Sequence, residues 1–333
     1  MMRDVLNGTR VFITGATGFL GSALARALLQ GGATVHALAR PNFHRDGLRE
    51  LPITWHEGDI TDPRSLPAVL AGADYIIHAA GRLGEAGVPE QVYECVNVDG
   101  TRNVLSAALS AGSKARILHL SSPGVLGTTP AGPASEDAAF APTNPYERSK
   151  AAAERLALDF ARRGMAVVVA RPGFIYGPGD RHVLKLFQAV RRGHFFYIDG
   201  GRHLTQPTFI ADAVAGMLLC LTQGRIGEVY HITGPQAVTF RELGETIAAA
   251  IGVRPPRLNL PRWFAIGSAL GLEALGRVVG HKPPLSRTGV DFFSADRVFS
   301  HQKAQHQLGY TPQHDLTTGV ARTVTWYRQQ GWL

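Results

Sequence analysis

Residues 12–29 read "FITGATGFLGSALARALL". An apolar run with β-branched and aromatic residues stops at Gly15. A helical period begins near Gly18, and Gly15, Gly18 and Gly21 occupy the junction. A glycine triplet alone is a weak signal. Between a buried strand and a helix it describes a dinucleotide-binding turn. Gly15 permits the tight turn, Gly18 lets the backbone approach a pyrophosphate at the helix N-terminus, and Gly21 allows the helix to pack close to the strand. Thr17, Phe19 and Leu20 complete the expected contact surface.

Outward from this turn, strand-like and helix-like segments alternate through the first 170 residues. "TVHALAR", "ITWHEGD", "DYIIHAAG", "ARILHLSS" and "AVVVARPG" read as strands. "DPRSLPAVLAG" reads as a short helix, "EQVYECVNVDGTRNVLSAALSAG" as a long one, and a further helix follows "NPYERSK" (144–150). This alternation predicts an α/β fold, a doubly wound parallel sheet of the Rossmann type. "RPGFIYGPGDRH" (171–182) is loop-like, while "GEVYHITG" (227–234) could add a strand to the first sheet. Thr239 and Glu242 have capping-box spacing. Beyond about 252, prolines, aromatics and short helices suggest a small lid. The expected division is residues 1–170 for an NAD(P)-binding domain, with 208–234 returning to it. Residues 171–207 and 235–333 form a smaller substrate-binding region.

The chain has 333 residues, 34 Lys and Arg, 26 Asp and Glu, and a formal charge of +8. That balance could suit nucleic acid, yet no like-charge block or nucleic-acid motif accompanies it. The excess of basic residues is read as serving an anionic cofactor and solubility. Cys95 and Cys220 lie in apolar-periodic segments and read as buried free thiols of a reducing, cytoplasmic compartment. The first residues do not form a signal peptide, and no apolar run reaches roughly 18 residues. "WFAIGSALGLEALGRVVG" (263–280), interrupted by Glu273 and Arg277, reads as an amphipathic helix; a place on a membrane or beside an apolar substrate channel is the lesser alternative. No metal-ligand pattern is evident.

The end of the second strand bears on the nucleotide. "HALARPNFHR" offers Arg40 and no carboxylate for a ribose hydroxyl. Arg40 could pair with a 2′-phosphate or pack on the adenine, so NADP is preferred over NAD. Asp59 in "GDITD" could accept from the adenine amino group or cap "PRSL", with Ile60 beside it.

"GDITD", "HAAG", "NVDGTRNVL", "HLSSPGVLG", "PYERSK" and "RPGFIYGPGD" follow the glycine turn in order. Together they resemble the extended short-chain dehydrogenase/reductase superfamily, over nearly the whole chain. The resemblance implies a bound nicotinamide cofactor, a small-molecule substrate, a homodimer and a catalytic set of Ser122, Tyr146 and Lys150. Asn97 matches the asparagine that props the active-site helix. Ala79, Ala80, Gly81, Pro172, Gly173 and Ile175 match cofactor-lining positions. Tyr146 and Lys150, four apart, share a helical face, and the lysine charge is expected to favour the phenolate. Ser121 could substitute for Ser122 if the strand ended one residue early.

Sugar-nucleotide dehydratases of the superfamily carry an acid after the catalytic hydroxyl. Here the run is Ser122-Pro123-Gly124. Many nucleotide-sugar epimerases place Asn where this chain has Phe174. The segment looks more like the 3β-hydroxysteroid dehydrogenase and dihydroflavonol reductase branch, as does "FSHQKAQHQLGYTP" (299–312). The expected function is oxidoreduction between a ketone and a secondary alcohol on a largely apolar substrate, with Phe174 in its pocket. A nucleotide-sugar epimerase or reductase is the alternative, and a non-catalytic dinucleotide sensor a third. Arg287 could meet a substrate phosphate or be structural.

Overall fold

The computed structural model describes residues 5–41, 47–66, 68–279 and 285–333. Part of the stretch after Arg40 (42–45) and the side chain of Arg277 lie outside the described residues. Seven strands form one parallel sheet: β1 (Arg10–Thr14), β2 (Thr34–Ala39), β3 (Ile53–Glu57), β4 (Tyr75–His78), β5 (Arg116–Leu120), β6 (Val167–Pro172) and β7 (Val229–Ile232). Their order is β7-β6-β5-β4-β1-β2-β3. The order reverses between β1 and β4, the switch point where ligands of such sheets bind at the carboxyl ends.

Apolar residues make this sheet because both faces are covered. Val11, Ile13, Ile77, Leu118 and Val168 are fully buried, as are Leu24 and Leu28 of the covering helix α1 (Phe19–Gln30). On the other face Phe12, Ile76, Ile117 and Val169 pack against Val104, Leu105 and Phe160. The last three lie on helices α2 (Gly100–Ser110) and α3 (Pro145–Arg162).

The helix expected over 90–112 is not uniform. Glu90–Tyr93 is α-helical, Glu94–Asp99 is a π-helical turn, and α2 follows without a break in the chain's course. The helix expected at 62–72 is instead two 3-10 turns, Pro63–Ser65 and Ala68–Gly72. Pro63 suits a first helical position, but a proline at 67 lacks the amide donor that an α-helix continuing there would need. Asp62 caps the first turn by accepting from the Arg64 amide. Cys220 is buried as expected, but Cys95 is exposed: it falls on the outward side of the π-turn.

The loop read at 171–182 contains a short strand, Phe174–Tyr176, paired in parallel with Pro207–Phe209. The capping box is present at the start of helix α4 (Phe240–Ile251): the Glu242 amide donates to Thr239, and the Thr239 amide to the Glu242 carboxylate. The C-terminal part includes an 18-residue helix, α5 (Arg262–Val279), where an amphipathic helix is read over 263–280, then the short α6 (Arg287–Phe293). No described helix is long and apolar enough to cross a membrane.

Candidate active site

At the β1–α1 junction Gly15 has φ +76°, and a Cβ there would lie 2.6 Å from the Ala80 amide nitrogen. A Cβ on Gly21 would sit 2.0 Å from the Gly15 carbonyl oxygen. Both positions exclude any side chain, because the turn, the helix and the end of β4 are in mutual contact. Gly18 differs: its Cβ would meet only the Gly15 oxygen at 3.4 Å. It faces open space at the N-cap of α1, with no side chain capping the helix. The first turn's amides therefore point outward without internal partners. Thr17, Phe19 and Leu20 are half-buried around them.

This cradle fits the pyrophosphate of a dinucleotide, which needs amide donors and a close backbone approach. Ala79, Ala80 and Gly81 continue from β4 beside it, with the Ala80 amide donating to Thr14 Oγ1 at 3.2 Å. Arg40 is exposed directly after β2. Asp59 accepts through one carboxylate oxygen, Oδ1, from the Thr61 amide and hydroxyl, both at 2.9 Å. The Ile60 side chain is buried, and its carbonyl accepts from Asn103. Pro172, Gly173 and Ile175 are half-buried at the carboxyl end of β6.

Ser122 follows β5 and begins a 3-10 turn over Pro123–Leu126. Its Oγ accepts from the Gly124 amide at 3.2 Å, which leaves its own proton for another acceptor. Ser121 is committed elsewhere. It is buried and donates to Glu154 at 2.5 Å.

Asn144 caps α3 by accepting from the Glu147 amide, and Pro145 occupies the first helical position. Tyr146 and Lys150 thus stand in the first turns of a fixed helix. Lys150 is buried and donates to the Leu120 carbonyl at 2.5 Å. Burial lowers its pKa to about 8, against the opposing pull of Glu154. Tyr146 moves the other way. Burial pushes the phenol up to about 12, helped by the Glu147 and Tyr93 charges, and hydrogen bonding to Ser122 offsets only part of this. The spacing argument expected a phenolate. In this structure desolvation raises the phenol instead, and Lys150 donates to the Leu120 carbonyl.

Asn97 is buried within the π-turn. Its amide donates to Ser149 Oγ at 2.8 Å, and its carbonyl accepts from the Arg82 amide at 2.7 Å. Ser149 in turn donates to the Tyr146 carbonyl at 2.7 Å. One side chain therefore joins the loop after β4 to the helix that carries Tyr146. A π-turn moves a side chain off the α-helical register, and such turns are frequent at functional sites.

That loop and His182 line a cavity of about 250 Å³, formed by Gly81, Arg82, Leu83, Gly84, Glu85 and His182. Gly84 lies against the tyrosine ring: a Cβ there would be 3.2 Å from Tyr146 Cδ1. Phe174 is half-buried and meets Phe292 edge to face at 5.5 Å.

Several groups escaped the sequence reading. Glu147 accepts from the Thr143 amide and hydroxyl at 2.7 Å and from Arg297 at 2.8 Å. Glu154 and Arg171 form a buried ion pair at 2.6 Å. His78 bonds Thr14 and Thr101 through its two nitrogens and is held neutral, its pKa driven to about 3 by burial and then by Lys150. His119, 5.5 Å away, is likewise held neutral. Arg287 begins α6, where its amide donates to Glu273.

Residues 11–233 match the NAD-dependent epimerase/dehydratase family, and the chain belongs to it. It is an enzyme of the NAD-dependent extended short-chain dehydrogenase/reductase type. It is 32% identical to the 4-hydroxy-2-methyl-3-oxo-4-farnesyl-3,4-dihydroquinoline-1-oxide ketoreductase of Stigmatella aurantiaca, over 90% of this chain and 91% of that one. It is also 32% identical to a dTDP-glucose 4,6-dehydratase of Streptomyces niveus, over 96% and 93%. Among solved structures, DesIV, a dTDP-glucose 4,6-dehydratase from Streptomyces venezuelae with NAD and TYD bound, is similar at 28% identity. Its TM-score is 0.79, covering 97% of this chain and 98% of that one.

Proposed function

We propose that this enzyme interconverts a ketone and a secondary alcohol on a largely apolar substrate, using Ser122, Tyr146 and Lys150. The observation that carries the reading is geometric: Tyr146, on the same helix as Lys150, packs against Gly84 at the edge of a cavity. The glycine cradle would hold the pyrophosphate of a nicotinamide dinucleotide, which when bound would supply or accept the hydride. Ser122 holds the substrate oxygen with the proton that Gly124 leaves free. Tyr146 then donates its proton to that oxygen as the carbonyl becomes an alcohol, and takes it back in the reverse direction. Lys150 keeps a cation under the site below about pH 8. Asn97 holds helix and loop in register.

The dTDP-glucose 4,6-dehydratase relatives favour a second reading, action on a nucleotide sugar. Against it, the turn after Ser122, Pro123–Leu126, carries no acid to assist loss of water. Glu147, which packs near Gly124, is engaged by Thr143 and Arg297. Phe174 offers a phosphate no hydrogen bond, and unpaired burial of a polar group costs several kcal/mol. With cofactor present, hydrophobic ketones and their alcohols are expected to raise the melting temperature, while UDP, GDP and dTDP leave it unchanged. If a nucleoside diphosphate alone raised it and competed with turnover, the nucleotide-sugar reading would replace this one.

The preferred cofactor is NADP, on the strength of Arg40 and the lack of a carboxylate at the end of β2. Arg40→Asp is expected to weaken NADP much more than NAD, since a carboxylate repels a 2′-phosphate and accepts from a ribose hydroxyl. Equilibrium titration of both cofactors reads this, and an unchanged ratio would place the preference elsewhere. A homodimer and a cytoplasmic setting complete the proposal, by analogy with the superfamily.

A further inference from the structure

Helix α5 turns an apolar side to solvent. It packs inward through Ala265 and Ala269, both fully buried, against Ile198 and Val290. On the opposite side Trp263, Gly267, Leu270 and Ala274 follow helical spacing, flanked by Phe264 and Gly271, and all are exposed. Trp263 is 75% exposed, Phe264 48% and Leu270 48%. A surface helix ordinarily presents charged or polar residues to water; this stripe has none. The Trp263 and Phe264 rings stand edge to face at 5.8 Å. Just before the helix, Leu258 is 59% exposed. Arg254 and Arg257 are exposed beside it in the chain, and neither pairs with a carboxylate among the described residues. The whole molecule carries +8.

We propose that this element is a docking surface for an anionic lipid bilayer, with Leu258, Trp263, Phe264 and Leu270 entering the boundary between headgroups and acyl chains. Arg254 and Arg257 meet the lipid phosphates. Amphipathic aromatic side chains settle at that depth, and arginines near an anionic leaflet add attraction that salt weakens. Because no described helix is long and apolar enough to span, the proposed contact is peripheral. The inner neighbour of α5 is α6, whose Phe292 touches Phe174. An apolar ketone dissolved in the bilayer would thus enter the protein close to its pocket. This last step rests on the apolar-substrate reading; the docking does not.

The test is co-sedimentation of the full chain with vesicles of phosphatidylcholine alone and with added phosphatidylglycerol. Binding is expected only with phosphatidylglycerol and is expected to fall as salt rises. Arg254→Glu with Arg257→Glu should weaken partitioning at least roughly thirtyfold, from the attraction typical of two arginines. Trp263→Ser with Phe264→Ser should abolish it. Both variants should keep the wild-type melting temperature and wild-type turnover of a water-soluble ketone, which separates this inference from the proposed reaction. Wild-type protein left in the supernatant with phosphatidylglycerol vesicles would overturn it, as would variants that bind undiminished. If the Trp263/Phe264 variant instead halved the mass by sedimentation velocity without changing vesicle binding, the stripe is an interface between copies and the bilayer proposal fails.

Discussion

Tyr146→Phe is expected to reduce turnover by ~10²–10⁴, the usual contribution of a positioned proton donor, and to leave cofactor affinity within a few-fold. The change removes one oxygen. The ring's edge contact with Tyr93 at 6.1 Å and its packing under Gly84 remain. Tyr146 is the proposed group that both carries a proton at neutral pH and stands at the cavity. Ser122 can hold an oxygen but is far too weak an acid to replace it. Steady-state turnover with a hydrophobic ketone, alongside cofactor titration by fluorescence, measures both quantities. Retention of more than about a tenth of wild-type turnover, against the 10² minimum usual for such a group, would remove Tyr146 from the role.

Glu154→Ala should destabilise the fold by about 3–5 kcal/mol, the usual cost of leaving one member of a buried ion pair alone. The side chain of Glu154 is 0% exposed and that of Arg171 3%. Arg171 makes three contacts with the carboxylate, at 2.6, 3.0 and 3.2 Å. Its other bonds, to the Glu136 carbonyl and His231, carry no compensating charge, because burial and the arginine itself keep His231 neutral. Ser121 also loses its acceptor, and the helix bearing Lys150 loses its anchor to β6. Urea unfolding of Glu154→Ala and of Glu154→Ala with Arg171→Met checks the cause: the double variant should recover most of the loss. Wild-type stability in the single variant would show that the pair holds nothing.

The sheet was legible because most of its strands are short apolar runs, such as RVFIT, YIIH and VVVARP, that end at turn residues, a pattern that local chemistry sets. The glycine turn was legible for a related reason, since Gly15 and Gly21 stand where no Cβ fits. Departures came where a distant partner decides. The π-turn around Asn97 has no signature in "YECVNVD"; it is seen only once Asn97 is found bonded to Ser149 and Arg82. The turns at 63–72 were open to correction from sequence, given a proline at 67. Cys95 was assigned by apolar neighbours in a segment whose register shifts. Glu154 drew no reading from the sequence, because its partner Arg171 is remote in the chain. For Tyr146 the position in the first turn of a helix was legible and the effect of burial on its phenol was not, since desolvation depends on everything packed around it.

Strand β7 closes the sheet only after the chain has left it, with Val229 paired to Val169. During synthesis, the chain through β6 emerges with one side of that strand open, a row of amides and carbonyls along "VVVARP". Translation at about 5–20 residues per second leaves it uncovered for several seconds. An open, strongly apolar strand is a template for pairing with another chain. Arg171, centred near the end of that strand, holds a charge there before His231 arrives beside it. The nascent protein is therefore most prone to aggregate between the emergence of β6 and that of β7, and a ribosomal pause in that interval would lengthen the exposure.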